Sequence, residues 1–238
     1  MENPDSRILT SMPNGFRAVV IGASGGIGSA ICDHIAAQQN LGDLIRLSRR
    51  ESGFDLTDEK SIADQAADFI RQPIHLIICA TGILTVDGQP PEKSLKQLRP
   101  EIMAAQFAVN AIGPALIAKH FLPRLDRERR ALAAFLSARV GSIADNRLGG
   151  WISYRASKAA LNQIVHTAAI ESQRTHPQAA VIAVHPGTVR TNLSAPYSTG
   201  HKTVSLEEAA RSILTTLNGV TASQTGGFLA YDGSRIEW

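Results

Sequence analysis

Six short runs of apolar residues recur along the chain, and a longer segment of helical period separates most of them. The runs are RAVVIG, DLIRLS, IHLIICA, ALAAFLS, AAVIAVH and GGFLAY. Unbroken apolar runs of this length suit strands that are covered on both faces. The main helices are predicted near 26–40, 58–71, 94–122, 153–176 and 205–218. The alternation predicts an α/β fold with a doubly wound parallel sheet flanked by helices on both faces.

One domain accounts for this pattern, because no Gly/Ser linker, low-complexity tract or long internal repeat divides the 238 residues. We predict a single domain over 16–238, preceded by an extended or mobile leader over 1–15. The leader lacks the features of a secretory signal, and no apolar run approaches the ~20 residues that cross a bilayer. The sequence therefore predicts a cytoplasmic protein that does not insert into membranes.

The charge pattern argues against a nucleic-acid-binding protein, and the cysteine spacing argues against a metal or redox site. The 24 basic and 21 acidic residues are interleaved, which argues against a nucleic-acid partner despite the formal charge of +3. Cys32 and Cys79 fall in a predicted helix and a predicted strand, and neither has a metal-type or redox spacing. We expect both to be packing residues, and we predict no metal site.

A glycine-rich stretch follows the first predicted strand. VVIGASGGIGSAI places Gly22, Gly26 and Gly28 between that strand and the start of a helix. Glycines let the backbone approach a pyrophosphate, and the N–H groups of the helix N-terminus attract its charge. The stretch predicts a dinucleotide-binding loop, and with it a sheet of Rossmann type.

The tip of the second strand predicts which dinucleotide binds. A carboxylate there favours NAD, whereas arginine favours the 2′-phosphate of NADP. The chain offers Ser48, Arg49 and Arg50, with no carboxylate until Glu51. We therefore expect NADP(H) in preference to NAD(H); the alternative is a solvated basic turn.

Tyr154 and Lys158 stand four residues apart in YRASKAAL. On a helix they lie one turn apart, with about 5–6 Å between Cβ atoms. A nearby ammonium favours the phenolate and lowers the pKa of the phenol from ~10, which makes tyrosine a usable general acid or base. Such a pair by itself is more often structural.

Five motifs occur in a specific order: GASGGIG, DLT, VNAIGP, YRASK and HPGTVRT. With them the sequence resembles the short-chain dehydrogenase/reductase family along essentially its whole length. Within the family it is similar to the branch of C-factor-like and sniffer-like carbonyl reductases, through VGSIADNRLGGWISYRASKAALN and GGFLAYDGSRIEW. The resemblance implies an NADP-dependent oxidoreductase acting on a small carbonyl or alcohol, assembled as a homodimer or homotetramer.

The resemblance also implies the catalytic roles. Tyr154 is the general acid and base, Lys158 lowers its pKa and bonds the nicotinamide ribose, and Asn110 holds a water linked to the lysine. The implied cofactor-binding residues are Gly22, Ser24, Gly26, Ile27, Gly28, Ser48, Arg49, Asp55, Leu56, Ala80, Gly82, Tyr154, Lys158, Pro186, Gly187, Val189 and Thr191. Alternatives remain: Asn110 could bridge helices, and Asp55, matched to an adenine contact, could begin a turn.

The chain departs from the family at the serine that stabilises the substrate oxygen. Thirteen residues before Tyr154 the chain has Gly141, and aligning FLSARVGSI on the usual ISSxxG puts Ala138 at the catalytic position. Ser137 or Ser142 could supply the hydroxyl instead. A second departure is CATG at 79–82, where the family commonly reads NNAG.

A substrate pocket is predicted between 138–152 and 186–204, with an apolar wall of Trp151, Leu193 and Tyr197. Two rival functions stay open. One is an NADP(H)-binding signalling or regulatory protein of C-factor type with little turnover. The other is a module whose main role is assembly, since a fold does not fix a function.

Overall fold

The computed structural model describes residues 7–191 and 203–238. Within these ranges six strands form one parallel sheet in the order β2-β1-β3-β4-β5-β6. The strands are β1 Phe16–Ile21, β2 Leu41–Leu47, β3 Leu76–Cys79, β4 Ala131–Leu136, β5 Ala179–His185 and β6 Phe228–Ala230. All six predicted strands are present, and the predicted doubly wound α/β fold is confirmed.

The α-helices of the described residues lie on both faces of the sheet. They are α1 Gly26–Ala36, α2 Arg49–Ser52, α3 Glu59–Ala67, α4 Pro100–Phe107, α5 Gly113–Phe121, α6 Ile152–Ser172 and α7 Leu206–Gly219. The helix predicted from 94 begins only at Pro100, because a short 3₁₀ turn over Leu95–Gln97 precedes it. Proline at the first helical position suits such a start.

The apolar runs are unbroken because every strand residue of the sheet centre is covered. In β4, Ala133 and Phe135 pack into the core on one face, and Leu132 and Ala134 pack into the core on the other. Successive strand residues point to opposite faces, so a strand covered on both sides has no position for a polar side chain.

Helices α4 and α5 are joined by one π-helical turn over Ala108–Ile112, which makes a continuous helix over Pro100–Arg124. By length and composition this helix could cross a bilayer, with a mean hydropathy of 1.4 in its most apolar window, of which 44% is buried in the protein. Ile117 and Phe121 are fully buried in the core. A core helix of a folded domain has the same properties.

Residues 7–15, part of the predicted leader, pack on the domain rather than extending from it. Leu9 and Met12 are buried beside α1 and α7. The Leu9 N–H donates to Gln38 Oε1 at 2.9 Å, and the Ser11 hydroxyl donates to Asn218 Oδ1 at 2.6 Å. Three buried apolar side chains, Ile8, Leu9 and Met12, and these hydrogen bonds therefore fix this segment.

Candidate active site

A cleft of about 840 Å³ opens where β1, β3, β4 and β5 end. Ligands of open α/β sheets bind at this carboxyl edge, next to the point where the strand order reverses. The described residues that line the cleft are Ser24, Gly25, Gly26, Ile27, Ala80, Thr81, Gly82, Leu136, Ser137, Tyr154, Lys158, Pro186, Arg190, Thr191 and Leu206. The cleft thus brings the predicted phosphate loop and the Tyr154–Lys158 pair together.

The loop between β1 and α1 requires glycine at two positions. Gly22 has a φ of +84°, and a Cβ on it would lie 2.8 Å from the Ala80 carbonyl oxygen. A Cβ on Gly28 would overlap the Gly22 carbonyl. The glycines therefore let strand β1 turn directly into helix α1.

The N-cap residue of helix α1 is Gly25, which lines the cleft and has no side chain to cap the helix. The first N–H groups of a helix need acceptors from outside the helix, and the positive end of the helix dipole favours an anion there. The loop and helix together form a cradle that fits the pyrophosphate of a dinucleotide.

In the turn after β2, the carboxylate of Glu51 is hydrogen-bonded to Arg46. Glu51 accepts hydrogen bonds from Arg46 Nε at 3.1 Å and Nη2 at 3.0 Å, and the bond to Arg46 lowers the pKa of Glu51. Ser48 caps α2 by accepting from the Glu51 N–H at 3.1 Å, and Arg49 is exposed. Arg49, Arg50 and Glu51 are all exposed at this tip, and the one carboxylate among them is paired with Arg46.

Asp55 and Leu56 have local structural partners. Asp55 Oδ1 accepts from the Thr57 N–H at 2.9 Å and from the Thr57 hydroxyl at 2.8 Å, and these bonds lower the pKa of Asp55. Leu56 packs against Gly113, where an added Cβ would lie 2.5 Å from Leu56 Cγ. Asp55 thus begins the turn towards α3, which is the alternative given in the sequence analysis. A contact between Asp55 and adenine stays a prediction.

Tyr154 and Lys158 project from α6 into the cleft and are 8% and 3% exposed. Lys158 Nζ donates to the Leu136 carbonyl at 3.0 Å. Burial raises the pKa of Tyr154 to about 12 and lowers the pKa of Lys158 to about 8. The expected lowering of the phenol pKa by the lysine is therefore not produced by the chain alone, because burial disfavours both charged forms.

Asn110 lies in the π-helical turn and holds the segment that follows β3. Its Oδ1 accepts from the Ile83 N–H at 2.8 Å, and its Nδ2 donates to the Ile83 carbonyl at 2.8 Å and to Ser157 Oγ at 3.1 Å. A Cβ on Gly82 would lie 3.2 Å from Lys158 Nζ and 3.4 Å from Asn110 Oδ1. The amide therefore bridges this segment to α6, and its water-holding role stays a prediction.

The structure explains why position 141 carries no serine. A Cβ on Gly141 would lie 2.8 Å from the Cβ of Lys158, so a side chain there would displace α6. Ser137 lines the cleft, and its hydroxyl donates to Asn162 Oδ1 at 2.6 Å. Ser142 is buried outside the cleft lining and accepts from the Asp145 N–H at 3.1 Å. Of the two candidate serines, Ser137 is the one that reaches the cleft.

The residues of the segment after β5 have three different surroundings. Pro186 and Thr191 line the cleft. Gly187 has a φ of +83° and lies against Tyr231, where an added Cβ would come within 2.9 Å of the ring. Val189 is buried and pairs with Val204. The predicted wall residues Leu193 and Tyr197 lie outside the described residues.

Several residues of the site were missed by sequence reasoning. Thr81, Leu136, Arg190 and Leu206 line the cleft but were not named as site residues, although Thr81 falls in the CATG segment and Arg190 in the predicted loop over 186–204. Their positions directly after β3, at the end of β4, and near the predicted loop after β5 were the available signal. The Trp151 ring lies 6.3 Å from the Tyr154 ring in an edge-to-face arrangement but is not among the residues that line the cleft, so its place in a substrate wall stays a prediction.

Comparison with known proteins also points to the short-chain dehydrogenase family. The sequence model of the family described as short chain dehydrogenase matches residues 50–202. C-signal from Myxococcus xanthus is 32% identical over 137 residues, which cover 57% of this chain and 78% of that protein.

Two solved structures share the fold. The NADPH-bound carbonyl reductase from chicken fatty liver has a TM-score of 0.83 at 23% identity, covering 98% of both chains. The carbonyl reductase Sniffer of D. melanogaster has a TM-score of 0.80 at 21% identity, covering 95% of this chain and 100% of that one.

Proposed function

The chain belongs to the short-chain dehydrogenase family, and from this premise we propose that it is an NADP(H)-dependent oxidoreductase that interconverts a small carbonyl compound and its alcohol. Tyr154 is the proposed general acid and base. The observation that carries the proposal is the meeting in one cleft of a glycine-lined helix N-terminus with the buried Tyr154 and Lys158. The carbonyl-reductase likeness of the fold supports it.

NADP(H), when bound, supplies or accepts the hydride. The residues that would hold it are the loop from Gly22 to Gly28 for the pyrophosphate, and Arg49 with Ser48 for the 2′-phosphate. Two observations favour NADP(H) over NAD(H). Arg49 is exposed at the turn, and Arg46 occupies the Glu51 carboxylate, which would otherwise repel a phosphate. The chicken liver reductase of the same fold is NADPH-bound.

Tyr154 is the group that would transfer the proton. Because burial keeps the pKa of the phenol at about 12, the group is protonated at neutral pH and can donate its proton to the substrate oxygen during reduction. Lys158, with a pKa of about 8, is largely cationic at pH 7 and would stabilise the phenolate left behind. In the oxidative direction the phenolate would take the proton of the alcohol.

A second candidate is an NADP(H)-binding signalling protein with little turnover. Two observations favour it: the 32% identity to C-signal, and an alanine at position 138, where the aligned family residue is a serine. Loss of one donor to the developing oxyanion costs about 10²–10³ in rate. A slow enzyme would be the result unless Ser137 supplies the hydroxyl.

Turnover and binding measured together separate the two candidates. NADPH oxidation would be followed with a panel of aldehydes, ketones and quinones, for the wild type and for Tyr154→Phe, beside fluorescence titrations of NADPH and NADH. Wild-type turnover that the variant loses, with NADPH binding retained, supports the reductase. Tight NADPH binding without turnover in either protein supports the signalling function.

We also propose a homo-oligomer. Ile112 next to α5 and Ile170 on α6 are 54% and 50% exposed, and apolar side chains on these helices would gain by contact with a second copy. Light scattering of the purified protein tests this, and a monomer at micromolar concentration would contradict it.

A further inference from the structure

Helix α6 carries both proposed catalytic groups, and its N-cap residue is Trp151. Trp151 has a φ of 52° and a ψ of 42°, a left-handed conformation that bulky residues rarely adopt. The first turn of α6 contains no acidic residue of its own. A carboxylate from another segment of the chain contacts this turn instead.

The outside group is Glu92, in the segment between β3 and α4. Its carboxylate accepts from the Ser153 hydroxyl through Oε1 and from the Ser153 N–H through Oε2 at 3.4 Å. Its backbone oxygen accepts from the Trp151 N–H at 2.5 Å. One residue thus binds the first turn of α6 at three points.

The burial of Glu92 is unusual for its surroundings. Glu92 is 5% exposed, whereas residues 93–100 are all exposed. Pro90 and Pro91 precede it, and their fixed φ angles stiffen the approach of the chain. A carboxylate is favoured at the positive end of a helix dipole, and burial strengthens such a hydrogen bond.

We propose that Glu92 is a positioning residue: it fixes the first turn of α6 and thereby orients the Tyr154 phenol in the cleft, with the Trp151 indole packed beside it. This inference rests on the proposed function. Tyr154 directly follows Ser153, and its ring meets the Trp151 ring at 6.3 Å, so both rings move with this turn. Glu92 is not among the residues that line the cleft, so it acts through the helix and not on the cofactor.

The kinetic experiment compares Glu92→Ala, Glu92→Gln and the control Glu101→Gln. Glu101 is an exposed acid paired with Arg99 on the neighbouring helix. Glu92→Ala should lower kcat about 10–100-fold, because a misplacement of about 1 Å costs on the order of 10² in rate. Glu92→Gln should lower kcat less, about three- to tenfold, since its single amide oxygen can still accept one of the two Ser153 hydrogen bonds. NADPH affinity should stay within about twofold in all three, and Glu101→Gln should match the wild type.

A second measurement does not depend on turnover. The sequence holds two tryptophans, so Trp238→Phe leaves Trp151 as the sole indole reporter. In that background Glu92→Ala should shift the Trp151 emission and increase its quenching by acrylamide, while Glu92→Gln should change both less. The fluorescence measurement tests the role of Glu92 even if the wild type shows no turnover. Absence of turnover would contradict only the proposed function.

Unchanged kcat together with unchanged Trp151 quenching in Glu92→Ala would overturn the inference. A parallel loss of kcat and NADPH affinity would overturn it as well, since that marks general damage to the fold. If Glu92→Ala does not fold, Glu92→Gln decides: a kcat reduced about threefold or more at unchanged NADPH affinity supports the role, and wild-type kcat and quenching contradict it.

Discussion

The two ends of the cleft are built by different means. The phosphate-loop end comes from consecutive residues 22–28, and its binding groups are backbone N–H groups that glycine leaves accessible. The catalytic end comes from side chains of separate segments, with Asn110, Tyr154 and Lys158 meeting near Gly82 and Leu136. A site made of backbone depends on local sequence, whereas a site made of buried side chains depends on contacts across the whole fold.

The two ends also differ in their electrostatics. The loop end attracts an anion through a helix N-terminus and contains no titratable group among residues 22–28. At the catalytic end burial acts on both titratable groups, raising the pKa of Tyr154 and lowering the pKa of Lys158. We therefore expect substitutions and pH to separate catalysis from cofactor binding.

Tyr154→Phe should produce the largest effect. Removing the proton donor should lower kcat about 10²–10⁴-fold, while NADPH affinity stays within about twofold, because the loop end is untouched. Steady-state kinetics and fluorescence titration measure the two quantities on the same preparation. An equal loss of both would show that the two ends are not independent.

Lys158→Met should stabilise the protein while it inactivates it. Burial sets the pKa of Lys158 at about 8 in the folded protein, below its ordinary value of 10.5, so keeping the ammonium buried at pH 7 costs about 3 kcal/mol. Between pH 8 and 10.5 the unfolded chain binds more protons, so the Lys158 contribution to the free energy of unfolding rises with pH. The advantage of Lys158→Met in urea unfolding should therefore be largest near pH 7 and shrink towards pH 10. A constant advantage would contradict this origin.

Gly28→Ala tests the loop end. Its Cβ would overlap the Gly22 carbonyl, and overpacking of this kind costs about 1–3 kcal/mol, so NADPH affinity should fall about 10–100-fold. Gly219→Ala is the matched control, since an added Cβ there meets nothing within 4 Å. NADPH affinity equal to the wild type in Gly28→Ala would show that the loop tolerates displacement.

Arg49→Ala should have the smallest effect. It should weaken NADPH binding about tenfold and leave NADH binding unchanged, because one charged hydrogen bond contributes about 1.5 kcal/mol. Arg50→Ala, at the second arginine that the sequence offers for the 2′-phosphate, shows whether that phosphate contacts Arg49 alone. Equal losses for NADPH and NADH would move the recognition of the 2′-phosphate away from Arg49.

The sequence predicts the fold and the strand–loop–helix geometry of residues 22–28, for physical reasons. Strands such as ALAAFL are recognisable because both faces are buried, and Gly22 and Gly28 because close strand–helix contact leaves no alternative residue. The contact of Gly141 with Lys158 and the hold of Glu92 on Ser153 join positions 17 and 61 residues apart. No local pattern marks such pairs, and the pKa of Tyr154 follows from burial that only the fold defines.

The hydrogen bond between Ser11 and Asn218 has a consequence for synthesis. The two residues are 207 positions apart, and α7 carries Asn218 at its end. At ~5–20 residues per second the ribosome needs on the order of 10–40 s to make the chain between them. During that time α7 cannot cover Leu9 and Met12, so their burial is incomplete until the end of α7 has been made. The Leu9 hydrogen bond to Gln38 can form early, whereas the Ser11 hydrogen bond to Asn218 must wait for α7.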